Sequence, residues 1–169
     1  MVENLLSVTK IDQTGKKATV KKQPEPLEEV VSEALVRFQK RYPDSPVNVS
    51  IPEEFLMIPM DATLIEQVII NLLENAVVHG KSQKPIDFYI EKKEDIIFHI
   101  RDYGKGIPKE RIPSIFDGFS ATHTGHNDTH KGMGIGLSIC KSIILAHQGT
   151  IDVICHENGS EFLFRLPLA

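Results

Sequence analysis

The order of helix-like and strand-like segments predicts an α+β fold, a two-layer α/β sandwich in which a mixed, mostly antiparallel sheet carries three main helices on one face. Three observations lead to this prediction. Apolar residues recur at helical spacing in three segments, alternating hydrophobicity marks several strands, and 41% of the 169 residues are hydrophobic. A chain of this length and composition can bury one substantial core, so one main domain is expected.

Three segments have the pattern of helices, namely residues 26–42, 62–79 and 136–147. The first begins with Pro26 and carries acidic residues in its first turn, where the positive end of the helix dipole favours them. Asp61 precedes the second helix and is a good N-cap residue. Because apolar residues are so frequent in the second helix, we expect it to be heavily buried.

Strands and loops separate these helices. Single strands are expected at residues 47–51 and 56–60. Two hairpins are expected, one formed by 86–92 and 96–102, and one formed by 150–156 and 161–167 with its turn at Asn158-Gly159. Residues 108–115 are expected to form a helical turn. Residues 118–134, rich in Gly, Thr and His, form a predicted loop that is too long for a purely connecting role.

The first 23 residues are predicted to lie outside the main domain, which would cover residues 24–169. Residues 1–9 have apolar side chains at a spacing that fits the end of an amphipathic helix, but this segment is too short to be stable alone. The polar, Lys-rich stretch that follows, up to Pro26, has the composition of a linker, with a short extended piece expected at residues 18–20.

Charge and composition disfavour several classes of function. The net charge is −4 and 25% of the residues are charged, with both signs present, so no basic stripe indicates binding to nucleic acid. Apolar runs are far shorter than the roughly 20 residues of a membrane span, and no membrane contact by this chain is expected. Cys140 and Cys155 stand at no metal-ligand spacing and suit reduced core residues of a cytosolic protein.

The sequence KGMGIGLSIC, residues 131–140, places glycines at positions 132, 134 and 136 directly before an apolar, helix-compatible run. Without Cβ atoms the backbone can approach a ligand closely, and the N–H groups at a helix start attract anions. The segment therefore predicts a phosphate cradle. A flexible hinge is the alternative, because an isolated GxGxG pattern has low specificity.

The sequence DYGKGI, residues 102–107, follows a predicted strand and combines Asp102 with two glycines. A carboxylate at a strand end, beside space for a flat ring, can accept a hydrogen bond from an exocyclic amine such as that of adenine. An ordinary Asp-Gly turn is the alternative interpretation.

The sequence NLLENAVVH, residues 71–79, places Asn71 and Asn75 four residues apart, so both side chains leave the same face of a helix. Two amide oxygens on one face suit a hydrated Mg²⁺ that is shared with substrate phosphates. Solvated or capping asparagines are the alternative, although asparagine is unfavourable inside a helix.

In this order, NLLENA, DYGKGI, FDGF at residues 116–119 and GMGIGL resemble the N, G1, F and G2 boxes of the catalytic ATP-binding domain of sensor histidine kinases. These domains belong to the superfamily of gyrase, Hsp90, histidine kinases and MutL, and they have the Bergerat fold. The resemblance covers about residues 26–169, and the run 47–77 resembles KdpD-type sensor kinases, which respond to potassium and osmotic conditions. MVENLLSVTKI resembles the end of the second dimerisation helix that precedes such domains.

The resemblance implies a role for each matched position. Asp102 would bind the adenine amino group, and Asn71 and Asn75 would hold Mg²⁺ and phosphate oxygens. Phe116 and Phe119 would anchor the lid, the loop of about residues 120–131. The other expected nucleotide contacts are Gly104, Gly106 and Ile107 beside the base, together with His79, Lys131, Gly132, Met133, Gly134, Ile135, Gly136 and Leu137.

The implied activity is transfer of the γ-phosphoryl group of Mg-ATP to a histidine on a dimerisation domain, for relay to a response regulator. ATP-hydrolysing members of the superfamily carry Glu at the position of Asn71, and an amide cannot accept a proton from water. Glu74 is predicted to point about 100° away from the Asn71–Asn75 face. None of the seven histidines has the context of the family's phosphoacceptor, so no catalytic residue is assigned. We expect this chain to be the cytoplasmic portion of a membrane-anchored sensor kinase, and we expect it to be inactive in autophosphorylation on its own.

Two positions depart from the family pattern: Val78 stands where a lysine is usual, and Ala121 where an arginine commonly follows the F box. In family members both cations meet the terminal phosphates. Candidates to replace them are Lys131, Lys105 and three lid histidines. If the histidines do so, ATP affinity should rise as the pH falls through about 6.5, whereas solvated histidines would have no such effect. The lid histidines are His123, His126 and His130.

Three other interpretations have less support. Zinc binding by the lid histidines is disfavoured, because their spacing is loose and no cysteine lies nearby. Asn71 argues against a gyrase-like or Hsp90-like ATPase. The KdpD-like run argues against an anti-sigma-factor serine kinase of the same fold. A degenerate nucleotide-binding or interaction module without kinase activity is favoured by Val78 and Ala121.

Overall fold

The computed structural model describes residues 20–82, 84–117 and 128–168, with the backbone alone for residues 128–135. Within these ranges the strands form a five-stranded sheet in the order β2-β4-β5-β7-β6 and a two-stranded sheet of β1 and β3. The elements, in chain order, are β1 (Gln23–Pro26), α1 (Leu27–Arg41), β2 (Val47–Ser50), β3 (Met57–Met60), α2 (Ala62–Val78), β4 (Ile86–Lys92), β5 (Asp95–Arg101), a 3-10 helix (Lys109–Ser114), α3 (Asp128–Ala146), β6 (Thr150–His156) and β7 (Gly159–Pro167).

The larger sheet is mixed and mostly antiparallel, as predicted. Strand β2 runs parallel to β4, whereas β4–β5, β5–β7 and β6–β7 are antiparallel. Phe98 lies opposite Ile90 on one side and Phe164 on the other, so all three side chains share one face of the sheet. This inner face packs against the three helices in one continuous core. The outer face combines polar side chains such as Glu161 with apolar ones such as Ile97.

The helix predictions for α1 and α2 are confirmed. The side chain of Asp61 accepts a hydrogen bond from the Leu64 N–H at 3.4 Å, which is the predicted N-cap. Helix α2 is buried on several sides, as its composition predicts, and Leu72 and Leu73 are fully buried. No described helix is long and apolar enough to cross a membrane.

Strand β1 was not predicted, because its segment was interpreted as a linker. It pairs antiparallel with β3, with Gln23 opposite Met60 and Pro26 opposite Met57. Pro24 and Pro26 argue against a strand, yet a two-stranded ribbon tolerates proline where the missing N–H would point away from the partner. Of the extended piece expected at residues 18–20, only Val20 is described, and its side chain is buried.

The predicted start of the third helix is wrong by eight residues, since α3 begins at Asp128. Gly132, Gly134 and Gly136 therefore lie inside the helix and not at its first turn, where the phosphate cradle was expected. Once a helix has begun, each further residue adds a backbone hydrogen bond. This gain offsets a cost of about 1 kcal/mol per glycine. Asp128 also places an acidic residue at the positive end of the helix dipole.

The two cysteines differ in their surroundings. Both are free thiols, and Cys140 is buried in the core. Burial raises the pKa of Cys140 to about 12, so this thiol stays protonated at neutral pH. Cys155 was expected in the core as well, but it lies on the edge strand β6 and is exposed.

Candidate functional site

A cavity of about 570 Å³ lies between the end of α2, the loop that follows β5, and the start of β7. Five of the residues predicted to bind nucleotide line it, although they come from segments about 30 residues apart in the chain: Asn75, His79, Asp102, Gly106 and Ile107. The other lining residues are Gly80, Lys105, Pro108, Arg111, Ser160 and Phe162. The cavity therefore joins the N-box helix and the G1 loop that the sequence singled out.

Asp102 is held rigidly at the wall of this cavity, where it is 3% exposed. Its Oδ1 accepts the Gly104 N–H at 3.0 Å, and its Oδ2 accepts the Ser160 hydroxyl at 2.9 Å. The Asp102 N–H donates to the Ser160 carbonyl at 2.9 Å. An ionised carboxylate offers about four acceptor directions. Two are occupied, so the group has capacity left for a donor that enters the cavity.

The end of α2 touches the G1 loop through backbone atoms. A Cβ on Gly104 would lie 1.7 Å from the Gly80 carbonyl oxygen, and a Cβ on Gly80 would lie 3.0 Å from the Asp102 Cγ. The Lys105 N–H donates to the same Gly80 carbonyl at 3.0 Å. This close approach is possible only without side chains at Gly80 and Gly104. It brings the helix that carries Asn75 to within contact distance of Asp102.

Asn71 and Asn75 show the unmet hydrogen-bonding capacity expected of ligand-binding groups. Among the described side chains, both Nδ2 atoms are buried without a hydrogen-bond partner. Such groups carry a free-energy cost unless a ligand or water satisfies them. Asn75 lines the cavity, whereas Asn71 lies beside the buried thiol of Cys140 on α3. The unpaired Nδ2 groups can donate to phosphate oxygens, and the amide oxygens of the same side chains can ligate hydrated Mg²⁺.

Glu74 points away from the cavity, as its position in the helix predicts. It pairs with Arg41 of α1, with 2.6 Å between the Glu74 Oε2 and the Arg41 Nη1. Burial raises the pKa of Glu74 above its ordinary value, while the Arg41 charge opposes this rise. Glu74 therefore belongs to the contact between α1 and α2.

The remaining predicted site residues lie beside the cavity, in the core, or outside the part of the chain that the structure describes. The half-buried Phe116 packs edge-on against Phe162, with 6.2 Å between ring centroids, and Phe162 lines the cavity. Leu137 is fully buried in the core. A Cβ on Gly136 would meet no described atom within 4 Å apart from its chain neighbours and the backbone of its own helix. For residues 131–135 only the helical backbone is described. Residues 118–127, which include Phe119 and most of the lid, lie outside the described residues.

Residues 60–169 match the protein-family model described as "histidine kinase-, DNA gyrase B-, and HSP90-like ATPase". The chain belongs to this family. The sensor protein KdpD of Clostridium acetobutylicum is 44% identical over 169 residues, and KdpD of Escherichia coli is 37% identical over 171 residues. Both matches cover 99% of this chain but only 19% and 18% of the relatives, so the chain spans about a fifth of their length.

Solved structures agree with this assignment. The catalytic domain of histidine kinase ThkA has a TM-score of 0.72 and 30% sequence identity, and the match covers 87% of this chain and 97% of that one. The fold of this histidine kinase-, gyrase- and Hsp90-like ATPase domain is thus the Bergerat type that the motifs implied.

Sequence reasoning missed several cavity residues of this ATPase-like domain. Ser160 was not singled out, because its position beside Asp102 depends on the pairing of β5 with β7, where Arg101 lies opposite Glu161. The turn at Asn158-Gly159 was a usable signal, since it fixes the residues that begin β7. Gly80 directly follows the run 71–79, and Arg111 lies four residues beyond the run 102–107, so neither belongs to a recognised motif. Lys105 was considered only as a substitute cation.

Proposed function

We propose that this chain is the ATP-binding catalytic domain of a two-component sensor histidine kinase. It binds Mg-ATP and transfers the γ-phosphoryl group to a histidine on a dimerisation domain, from which a response regulator receives it. The catalytic domain covers residues 24–169, and residues 1–23 comprise the end of a dimerisation helix and a linker whose last residue, Gln23, is the first of β1. The parent protein is a membrane-anchored sensor with this portion in the cytoplasm. The observation that carries the proposal is the buried carboxylate of Asp102 facing the cavity.

The cavity fits a nucleotide in size and in polar groups. Its volume of about 570 Å³ lies within the usual range for cofactor pockets, roughly 300–1,000 Å³. Asp102 would accept a hydrogen bond from the adenine amino group, and Asn75 and Asn71 would hold Mg²⁺ and phosphate oxygens. When bound, ATP supplies the phosphoryl group and Mg²⁺ offsets its charge. The cationic side chains of Lys105 and Arg111 line the same cavity and would add to this offset.

The lining favours phosphoryl transfer to a protein group over hydrolysis. Among the described residues that line the cavity, Asp102 is the one carboxylate, and the acceptor capacity that Gly104 and Ser160 leave would be taken by the adenine amino group. Glu74 is paired with Arg41 on the far side of α2. No described lining carboxylate is therefore placed as a general base for an attacking water. ATP would be held intact until an acceptor histidine is supplied.

Calorimetric titration with a non-hydrolysable ATP analogue and Mg²⁺ tests nucleotide binding. We expect Asp102→Asn to weaken binding by about 1.5–3 kcal/mol, a tenfold to hundredfold rise in Kd, because a charged acceptor is removed. Asp152→Asn changes an exposed carboxylate on β6 in the same way and is expected to leave Kd unchanged. Absence of binding by the wild-type chain would contradict the proposal and favour an interaction module without kinase activity.

Phosphotransfer distinguishes a kinase from an ATPase. The chain would be incubated with γ-labelled ATP alone, and in parallel with a separately expressed dimerisation domain of a KdpD-type kinase. We expect acid-labile, base-stable label on the dimerisation domain and little phosphate release from the chain alone. Rapid phosphate release without label on the partner would instead indicate an ATPase.

A further inference from the structure

Arg101, the last residue of β5, precedes Asp102 and lies outside the cavity lining. Its Nη1 donates to the Asp102 carbonyl at 2.7 Å and to the Asn158 carbonyl at 3.4 Å, and its Nη2 donates to the Asn158 Oδ1 at 2.9 Å. One guanidinium group therefore joins the backbone of Asp102 to the turn between β6 and β7. The fork of donors in arginine suits such a bridge, and lysine does not reproduce it.

Tyr103 holds this guanidinium in place from the other side. The Arg101 Cζ lies 4.3 Å from the centroid of the Tyr103 ring, a cation–π contact. The Tyr103 hydroxyl donates to Asp87 on β4, and the Tyr103 N–H donates to the Ser82 Oγ at 2.9 Å. Arg101 is thus fixed between a tethered aromatic ring and the hairpin turn.

The turn that Arg101 holds lies directly on the backbone of Asp102. Gly159 has φ +125°, and a Cβ there would lie 2.0 Å from the Asp102 carbonyl oxygen. This is the same oxygen that accepts a hydrogen bond from Arg101. The next residue, Ser160, donates its hydroxyl to the Asp102 Oδ2 and accepts the Asp102 N–H. The direction of the carboxylate in the cavity therefore depends on where this turn is held.

We propose that Arg101 is a positioning residue that sets the preference of this site for adenine over guanine. The inference rests on the proposed function, since it assumes that Asp102 reads the base. Arg101 holds the turn against Asp102, so that Ser160 and Gly104 leave the remaining acceptor directions of the carboxylate toward the cavity. A carboxylate in that orientation accepts the amino group at C6 of adenine and opposes the carbonyl that guanine carries there.

The test compares the Kd of the full chain for ATP and for GTP, by calorimetry with Mg²⁺. We expect Arg101→Met to raise the Kd for ATP about tenfold and the Kd for GTP less than about twofold. The nucleotide ratio, which is the Kd for GTP divided by the Kd for ATP, therefore falls. Arg101→Lys keeps the charge but loses the forked arrangement of donors, so its nucleotide ratio should lie between those of wild type and Arg101→Met. Arg165→Met, at an exposed arginine of β7, is the matched control and should leave both constants unchanged.

The nucleotide ratio separates positioning from a merely structural role. If Arg101→Met weakens ATP and GTP equally, or leaves the ratio at the wild-type value, the inference is wrong. Asn158→Ala removes one acceptor at an exposed turn and should lower the ratio about threefold, which keeps the test valid if Arg101→Met does not fold. Wild-type protein that does not bind ATP would overturn the proposed function itself, whereas normal wild-type binding with an unchanged ratio in both variants overturns only the role of Arg101.

Discussion

Two buried carboxylates lie on opposite faces of the sheet, one on β7 and the other directly after β5. Asp102, on the cavity side, is 3% exposed, and Glu161, on the outer face, is 7% exposed. Asp102 accepts two hydrogen bonds and lines a cavity. Glu161 accepts three, from the Tyr89 hydroxyl at 2.9 Å, from His99 Nδ1 at 2.6 Å and from His156 Nε2 at 2.9 Å, and it lines no described part of that cavity. Burial alone therefore does not make a carboxylate a candidate binding group, whereas unused acceptor capacity beside a cavity does.

The surroundings of Glu161 form a structural cluster that joins four strands. His99 lies between two carboxylates, with Glu91 at 2.8 Å from its second ring nitrogen, and its ring stacks on Tyr89 with 4.3 Å between centroids. Burial acts to raise the pKa of Glu161, but the hydrogen bonds from His156, His99 and Tyr89 outweigh it and hold the pKa below its ordinary value. Burial and the hydrogen bond to Glu161 raise the pKa of Tyr89 to about 12.

The largest expected effect comes from Glu161→Gln. It replaces an ionised acceptor of three hydrogen bonds, so the free energy of unfolding should fall by about 2–3 kcal/mol. The Kd for ATP should stay within about twofold of wild type, in contrast to Asp102→Asn. Urea denaturation and calorimetric titration measure the two quantities, with Glu157→Gln at an exposed position as the control. The comparison fails if Glu161→Gln impairs nucleotide binding while stability is retained.

Low pH should remove the stabilisation by Glu161. Because its pKa is lower in the folded protein than in the unfolded chain, the unfolded chain binds the proton first as the pH falls. The stabilisation is thus complete above about pH 4.5, the ordinary value, and is lost below it as the pH approaches the pKa of the folded protein. Denaturation should show the same difference between wild type and Glu161→Gln at pH 7 and 5, and a smaller difference at pH 4 and 3. A constant difference down to pH 3 would count against this account.

His147 extends the comparison to a buried histidine with both ring nitrogens engaged. Its Nδ1–H donates to the Ile143 carbonyl at 2.8 Å, and its Nε2 accepts the Asp61 N–H at 3.0 Å. Burial lowers the pKa of His147, so the unfolded chain takes up the proton first and stability should fall as the pH drops below about 6.5. The expected loss reaches up to about 1.4 kcal/mol at pH 5.5. His147→Gln should abolish this part of the pH dependence in thermal denaturation, and its persistence in the variant would assign it to other histidines.

The smallest effect is expected from Ser160→Ala. It removes one hydroxyl donor that orients the Asp102 carboxylate but does not touch the nucleotide, so the Kd for ATP should rise about threefold, which corresponds to about 0.7 kcal/mol. Stability should change little, because the freed carboxylate oxygen remains beside the cavity. Ser50→Ala, at an exposed position of β2, is the control. An effect as large as that of Asp102→Asn would mean that Ser160 itself contacts the nucleotide.

Most elements could be predicted because their signals are local. The N-cap at Asp61, the turn at Asn158-Gly159 and the common helix face of Asn71 and Asn75 each depend on residues within a few positions. Strand β1 could not be predicted, since two prolines argue against it and its partner β3 decides it. The start of α3 was misjudged because the glycines were taken as a boundary, whereas the helix continues through them from Asp128.

The amino-acid sequence determined which residues are candidates for the site, since the motifs bring Asn75 and His79 to the end of one helix and Asp102 to the end of a strand through short-range geometry. Only the tertiary structure decided what surrounds them. Ser160 reaches Asp102 across 58 positions of the chain, and Gly80 meets Gly104 through backbone atoms. These contacts depend on strand register and on the packing of α2 against the sheet, which no local pattern of residues specifies.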